Sequence, residues 1–288
     1  MFVPLLKNET LKLRHRSVLW IELGIMALAV AGIFTMLYVV SQVNVMPAEE
    51  RALIEQLAVW PGSIMMSISM AASQNLGGLL IIVLTSLVVA QEYQWQTLTL
   101  DIRQGASRPL IILSKLLILL VAALLITAVP LIVGTGVSAL TTIGITGSLD
   151  ASLIDPAQVA LSVVRTAYTL LPFMALSFLV AVVTRSVAGS IGVGLGYLLF
   201  VEGIAAELML LVGGVLADIA KFMPGQMAKA IIAENDAIMA AAVSTSEGAA
   251  GLVDNLLDPG AAAIGVAVYT VLFIGLAIWQ FTRQDLTV

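Results

Sequence analysis

Six long apolar runs separated by polar intervals organise the chain: Val18 to Val40, about Met70 to Ala90, Leu110 to Val133 or somewhat beyond, Val159 to Val183, Val187 to about Val212, and Ala262 to Phe281. A bilayer core about 30 Å thick takes around 20 apolar residues per helix. Backbone groups inside it must be satisfied within the segment, so runs of this length predict membrane-spanning helices. The two-residue alternation of barrel strands is absent. The predicted fold is an all-α integral membrane protein with six transmembrane helices and both termini on one side. The first run is too long for a signal-peptide core and lacks a convincing small-residue cleavage site, so it reads as a retained anchor.

The polar intervals carry their own patterns. In the leader, residues 1–17, Phe2, Leu6 and Leu13 share a helical stripe with Thr10 between them, while Lys12, His15 and Arg16 face elsewhere. That pattern predicts an amphipathic interfacial helix; an ordinary basic leader is the alternative. Between the second and third runs, residues 91–108 place Glu92 in a first turn, Arg103 near a last, Gly105 where a C-terminal cap belongs and Pro109 beyond, the order of helix start and stop signals. Trp95, Leu98 and Ile102 fall on one stripe, and Gln94, Thr97, Asp101 and Gln104 on the opposite one. This is either a surface helix that offers its polar side to a soluble partner or a solvated connector. On the other side, Ser41 to Ile64 and Leu216 to Gly260 form the two longest loops. The segment 213–261 is mildly apolar and broken by Pro224 and Gly225, which suits short helices dipping back toward the membrane or a small cap. No linker or repeat divides the chain, so residues 1–288 read as one membrane domain.

Composition agrees with the pattern. At 60% hydrophobic and 11% charged, with mean hydropathy +1.07, the chain lies far from soluble domains, which hold roughly 45–50% apolar and about 25% charged residues. Lys7, Lys12, Arg14, Arg16, Arg103, Arg108, Lys115, Arg185 and Arg283 lie on the side of the termini, against Arg51, Lys221 and Lys229 opposite, which makes the termini cytoplasmic. The net charge of −5 comes largely from acids on the far side and argues against nucleic acid as a partner. Without cysteine, disulfides and thiolate metal sites are excluded.

Candidate chemistry is sparse. No lysine follows a glycine, so the chain has no P-loop and any ATP it uses must be hydrolysed by another chain. The glycine-rich "GSIGVGLG" lies inside an apolar run, where Gly192 and Gly196 fit a close helix-packing face. The single histidine, His15, leaves no histidine-based metal site or triad in the membrane. Three ionisable residues, Glu22, Arg165 and Glu202, lie in or near the runs, and an intramembrane charge is a functional hypothesis by default. Glu22 beside Trp20 reads as interfacial, and Arg165 is close enough to the outer end to snorkel. Glu202 is deeper; with Glu207 it marks a place for the fifth helix to break, and it is a candidate to touch cargo or a partner subunit. Gln74 and Asn75 give the second run a polar outer end, suited to an exit path or to interhelical hydrogen bonding.

Taken in order, three stretches resemble the permease subunits of ABC-2-type ATP-binding-cassette transporters. "KNETLKLRHRS" resembles their interfacial helix at Asn8, Glu9, Lys12 and Leu13; the interval after the second run resembles their cytoplasmic loop at Glu92, Thr97, Leu98, Ser107, Arg108 and Lys115; "FTRQDL" resembles their tail at Phe281, Arg283 and Asp285. Gln96 departs from the pattern, standing where the family commonly has glycine. The resemblance implies a non-enzymatic permease of the cell membrane, paired with a second permease subunit, itself or a homologue. Two cytoplasmic ATPase subunits that hold ATP and Mg would dock beneath, and this chain would hold no cofactor. It assigns ATPase coupling to Glu92, Tyr93, Gln94, Trp95, Thr97, Leu98, Asp101 and Arg108, and the interfacial helix to Asn8, Glu9 and Lys12. It also implies short re-entrant helices before the sixth span and export of a hydrophobic or amphipathic cargo such as a drug, antimicrobial peptide or lipid.

Overall fold

A computed structural model describes residues 2–42, 47, 50, 54–55, 57–60, 62–98, 102, 107–150, 154–243 and 256–284. Among them all regular structure is helical. The elements are α1 (Phe2–His15), α2 (Ser17–Gln42), α3 (Gly62–Met70), α4 (Leu76–Gln94), α5 (Arg108–Thr146), α6 (Pro156–Thr169), α7 (Leu171–Thr184), α8 (Val187–Gly196), a π-helical stretch (Tyr197–Ala205), α9 (Ala206–Val212), α10 (Gly214–Lys221), α11 (Pro224–Val243) and α12 (Pro259–Arg283). Six segments are long and apolar enough to cross a membrane: α2, α4, α5, α6 with α7, α8 through α9, and α12. The chain is a multi-pass membrane protein by that measure.

Local chemistry sets the ends. Asp155 accepts from the Ala157 N–H at 2.9 Å and Asp258 from the Ala261 N–H at 3.1 Å, each followed by proline in the first turn. Ser186 caps α8 by accepting from Gly189 N–H at 3.2 Å. Helix α5 stops at Gly147, which is left-handed at φ 76° and returns its N–H to Ile143.

Burial separates inner from outer helices. The most apolar stretches of α4 and of α6 with α7 are 67% buried, against 17–22% for the first, fifth and sixth spans, so α4 and α7 form the centre and the others expose apolar flanks. Helix α4 packs on α7, α8 and α5, and α12 lies along α7. Where α4, α7 and α8 meet, Ser86 and Ser190 hydroxyls are 2.7 Å apart and Ser190 donates to the Ser177 carbonyl at 2.9 Å. These buried hydroxyls are satisfied by one another, which fixes the register of three apolar helices.

Several boundaries differ from the sequence expectation. The second span begins at Leu76, not near Met70, because residues 71–75 turn back over its first turn. A Cβ on Gly77 would lie 2.5 Å from the Ala71 carbonyl carbon, so only glycine admits that turn. The third helix runs 39 residues to Thr146, about 58 Å at 1.5 Å per residue. Instead of breaking at Glu202, the fifth span widens into the π-helix and breaks at Gly213 and Gly214, both at positive φ. Close helix packing falls on Gly194, whose Cβ would lie 2.7 Å from Ile82 Cγ2, while Gly192 and Gly196 have nothing within 4 Å. On α1 the buried stripe runs through Glu9 and Leu13, and Thr10 is exposed.

Candidate functional site

Contacts along the face that carries both ends of the chain converge on the last turn of α4. Helix α1 lies against the start of α5, and this brings Glu9, Lys12 and Arg16 to Glu92 and Lys115. Lys115 is 2% exposed, although it belongs to an apolar helix. It reaches Glu9 at 3.2 Å and also pairs with Glu92. Lys12 lies 2.8 Å from Glu9 and 3.5 Å from Glu92, and Arg16 lies 3.6 Å from Glu92. Arg16 also donates to the Leu87 carbonyl at 2.9 Å and to Gln91 Oε1 at 3.1 Å. Burial pushes the Glu9 carboxyl up, but Lys115 and Lys12 together outweigh it and leave Glu9 below the ordinary carboxylate range. A charge network this enclosed holds only with all its members, because one partner lost leaves a charge in a dry site.

The next residue ties down the other terminus. Tyr93 donates its hydroxyl to Gln284 Oε1 at 3.2 Å, and Gln284 Nε2 donates to the Val182 carbonyl at 2.8 Å. Arg108 donates to the carbonyls of Thr282 at 2.7 Å and Gln284 at 2.9 Å, covering the C-terminal end of α12. Arg185 stands 5.9 Å over the Tyr93 ring. Glu92 therefore anchors the first helix and Tyr93 the last, from neighbouring positions on α4.

Beyond this joint the chain turns outward. Gln96 is left-handed at φ 55°, the conformation a glycine would adopt there. Leu98 is buried at 3% exposure and Ile102 packs on the core, but Trp95 is 63% exposed and stands 5.9 Å from the Arg16 guanidinium. Gln94 is exposed and Thr97 half-buried. A cleft of about 470 Å3 opens here between Lys12, His15, Arg16, Trp95 and Thr97. Asn8 is exposed. Asp101, Arg103, Gln104, Gly105 and Asp285 lie outside the described residues.

On the opposite face three residues singled out in the sequence come together. Glu202, 4% exposed on the π-helix, accepts from Tyr197 OH at 2.9 Å and lies against Gly225 at the start of α11. Gln74 donates to the Gly225 carbonyl, and Asn75 donates to the Ser69 carbonyl at 2.8 Å. All three line a cavity of about 300 Å3 together with Glu207 and Lys229. Lys229 pairs with Glu207, to which Gln226 also donates at 3.1 Å. Arg165 does not snorkel to open water but pins α11 through Glu234 at 3.1 Å. Glu22, in the second turn of α2, is 4% exposed, and neither carboxylate oxygen has a hydrogen-bond partner among the described residues.

Gln284 and the depth of Lys115 were missed by sequence reasoning. A lysine two turns into an apolar helix was signal enough for the second; nothing in "FTRQDL" distinguishes Gln284. No cluster of metal-ligating side chains occurs among the described residues.

No curated protein matches the chain. One family, described as a protein of unknown function (DUF2705), matches residues 25–287. That range begins inside α2 and takes in the ends of α4 and α12, the π-helix and the Glu202 cavity, so the chain belongs to the DUF2705 family.

Proposed function

We propose that the chain is the permease subunit of an ATP-binding-cassette exporter of the ABC-2 type, without enzymatic activity of its own. In this reading two cytoplasmic ATPase subunits hydrolyse ATP with Mg, a second permease subunit completes the pathway, and a hydrophobic or amphipathic cargo leaves the cell. The observation that carries the reading is the joint at the end of α4. Glu92 and Tyr93 fasten the first and last helices, and the segment just beyond exposes Gln94 and Trp95. A push on that segment would reach both termini at once, which is how a bistable helix bundle is switched from outside. The terminal face is then cytoplasmic, in keeping with its basic residues. Helix α1 lies at the interface, and α10 with α11 form the re-entrant element before the last span.

A solitary secondary transporter is the second reading, favoured by the buried Glu202 beside a cavity. Purification of the tagged chain from its own membrane in nanodiscs, with mass spectrometry and an ATPase assay, separates the two. Retention of a P-loop ATPase that Trp95→Ala weakens supports the exporter. An oligomer free of ATPase, reproduced in milder extraction, refutes it.

A further inference from the structure

The cavity on the far face gathers two carboxylates and two side-chain amides, Glu202, Glu207, Gln74 and Asn75. Gln74 and Asn75 both commit amide N–H groups to backbone carbonyls, those of Gly225 and Ser69. Each amide keeps its oxygen, an acceptor, and one further N–H. Tyr197 gives its proton to Glu202 Oε1, while Glu202 Oε2 is buried against the Gly225 backbone. The one cation among the described lining residues, Lys229, is engaged with Glu207. Glu207 and Lys229 offset each other, which leaves Glu202 as the lining carboxylate outside that ion pair.

The rest of the lining is apolar, supplied by Leu79, Leu198 and Leu199. Leu198, Leu199, Glu202 and Gly203 share one face of the fifth span by their three- and four-residue spacing, and the stretch is π-helical, a departure from α-geometry that recurs at functional sites. A volume of about 300 Å3 sits at the small end of ligand cavities.

We propose that this cavity binds a cationic amphiphile, a primary ammonium joined to an apolar chain, with the ammonium at Glu202 and the chain along the leucines. Three N–H donors on an ammonium meet the three acceptors of Glu202, Gln74 and Asn75. The apolar wall favours an organic cation over a hydrated inorganic one. As the identity of an exported cargo the inference rests on the function proposed above; the binding itself does not.

The test is equilibrium binding of radiolabelled decylammonium to the full-length protein in nanodiscs, purified with whatever subunits accompany it, with empty nanodiscs as background. Saturable binding near one per chain is the expected result. Glu202→Gln should weaken it about tenfold to a hundredfold, the worth of a charged hydrogen bond. Gly203→Leu should abolish it by filling the cavity; position 203 is exposed, and an added Cβ there meets only the Leu198 carbonyl, at 3.5 Å. Asp218→Asn, altering an exposed carboxylate of α10 outside the cavity lining, should leave it unchanged. Equal affinity in Glu202→Gln, equal competition by decanoate or decanol, displacement by equimolar sodium, or no saturable binding would each overturn the proposal. An ATPase that copurifies with a chain that does not bind the probe would leave the exporter standing and this site refuted. Specific binding with no ATPase would do the reverse.

Discussion

Replacing Glu92 by glutamine tests the joint at the end of α4 most directly. Three cations, Lys12, Arg16 and Lys115, face two carboxylates, Glu9 and Glu92, a local excess of one positive charge. Glu92→Gln raises that excess to two and takes the charged partner from Arg16. Lys115→Met brings it to zero, and Glu9 keeps Lys12 at 2.8 Å while Glu92 keeps Arg16 at 3.6 Å. Although the two changes delete equally buried groups, the glutamate should therefore matter more. Breaking a buried pair from one side costs about 3–5 kcal/mol. Gln retains an acceptor for Lys115, so about 3 kcal/mol is expected for Glu92→Gln and roughly 1 kcal/mol less for Lys115→Met. At about 2–4 °C per kcal/mol, Glu92→Gln should melt roughly 6–12 °C lower. Thermal unfolding in nanodiscs of fixed composition, followed by tryptophan fluorescence, reads both variants. Trypsin sensitivity between Lys12 and Arg16 reports whether α1 has detached. The reasoning fails if Lys115→Met proves the more harmful change, or if Glu92→Gln shifts stability by less than about 1 kcal/mol.

Gln96→Gly should raise the melting temperature, because it removes a left-handed non-glycine residue that costs about 1–2 kcal/mol; an unchanged or lower value would mean the Gln96 side chain contributes more than the strain. Gly194→Ala should destabilise by about 1–3 kcal/mol by overpacking, since its Cβ meets Ile82 and Ser177, whereas Gly192→Ala meets nothing within 4 Å and should be silent in the same melting assay. The Glu9 carboxyl titrates below its ordinary value of 4.5, so its stabilisation is complete above that pH and lost as pH falls through the depressed value. Acid should therefore release α1, seen as trypsin-independent loss of a donor–acceptor pair between α1 and α5, and Glu9→Gln should flatten that profile below pH 4.5.

Apolar run length made the six long helices legible, because a bilayer leaves the backbone few alternatives. Their ends were less so. Helix α5 runs to Thr146, past the expected stop at Val133 or somewhat beyond, and the threonines and serines that follow satisfy themselves within the helix: Thr142 donates to the Ser138 carbonyl at 2.7 Å and Thr146 to that of Thr142 at 2.8 Å. Gln74, Asn75 and Glu202 stood out as polar groups in apolar surroundings, and they do share one cavity. Periodicity put Trp95 with Leu98 on a single stripe, but the left-handed turn at Gln96 separates them, leaving one exposed and the other buried. The burial of Glu92 was illegible, because its partners Lys12, Arg16 and Lys115 come from other parts of the chain and a loop glutamate is ordinarily wet.

The length of α5 has a mechanical consequence. A rod of about 58 Å is seated at one end by Lys115 in the charged joint, and at the other it carries Trp60, whose indole donates to Ser138 at 2.8 Å. Turned about its seated end by only about 5°, such a rod swings its far tip by roughly 5 Å, the rise of a whole helical turn. Pro130, which interrupts the hydrogen-bond ladder partway along, is where that leverage would be absorbed or passed on.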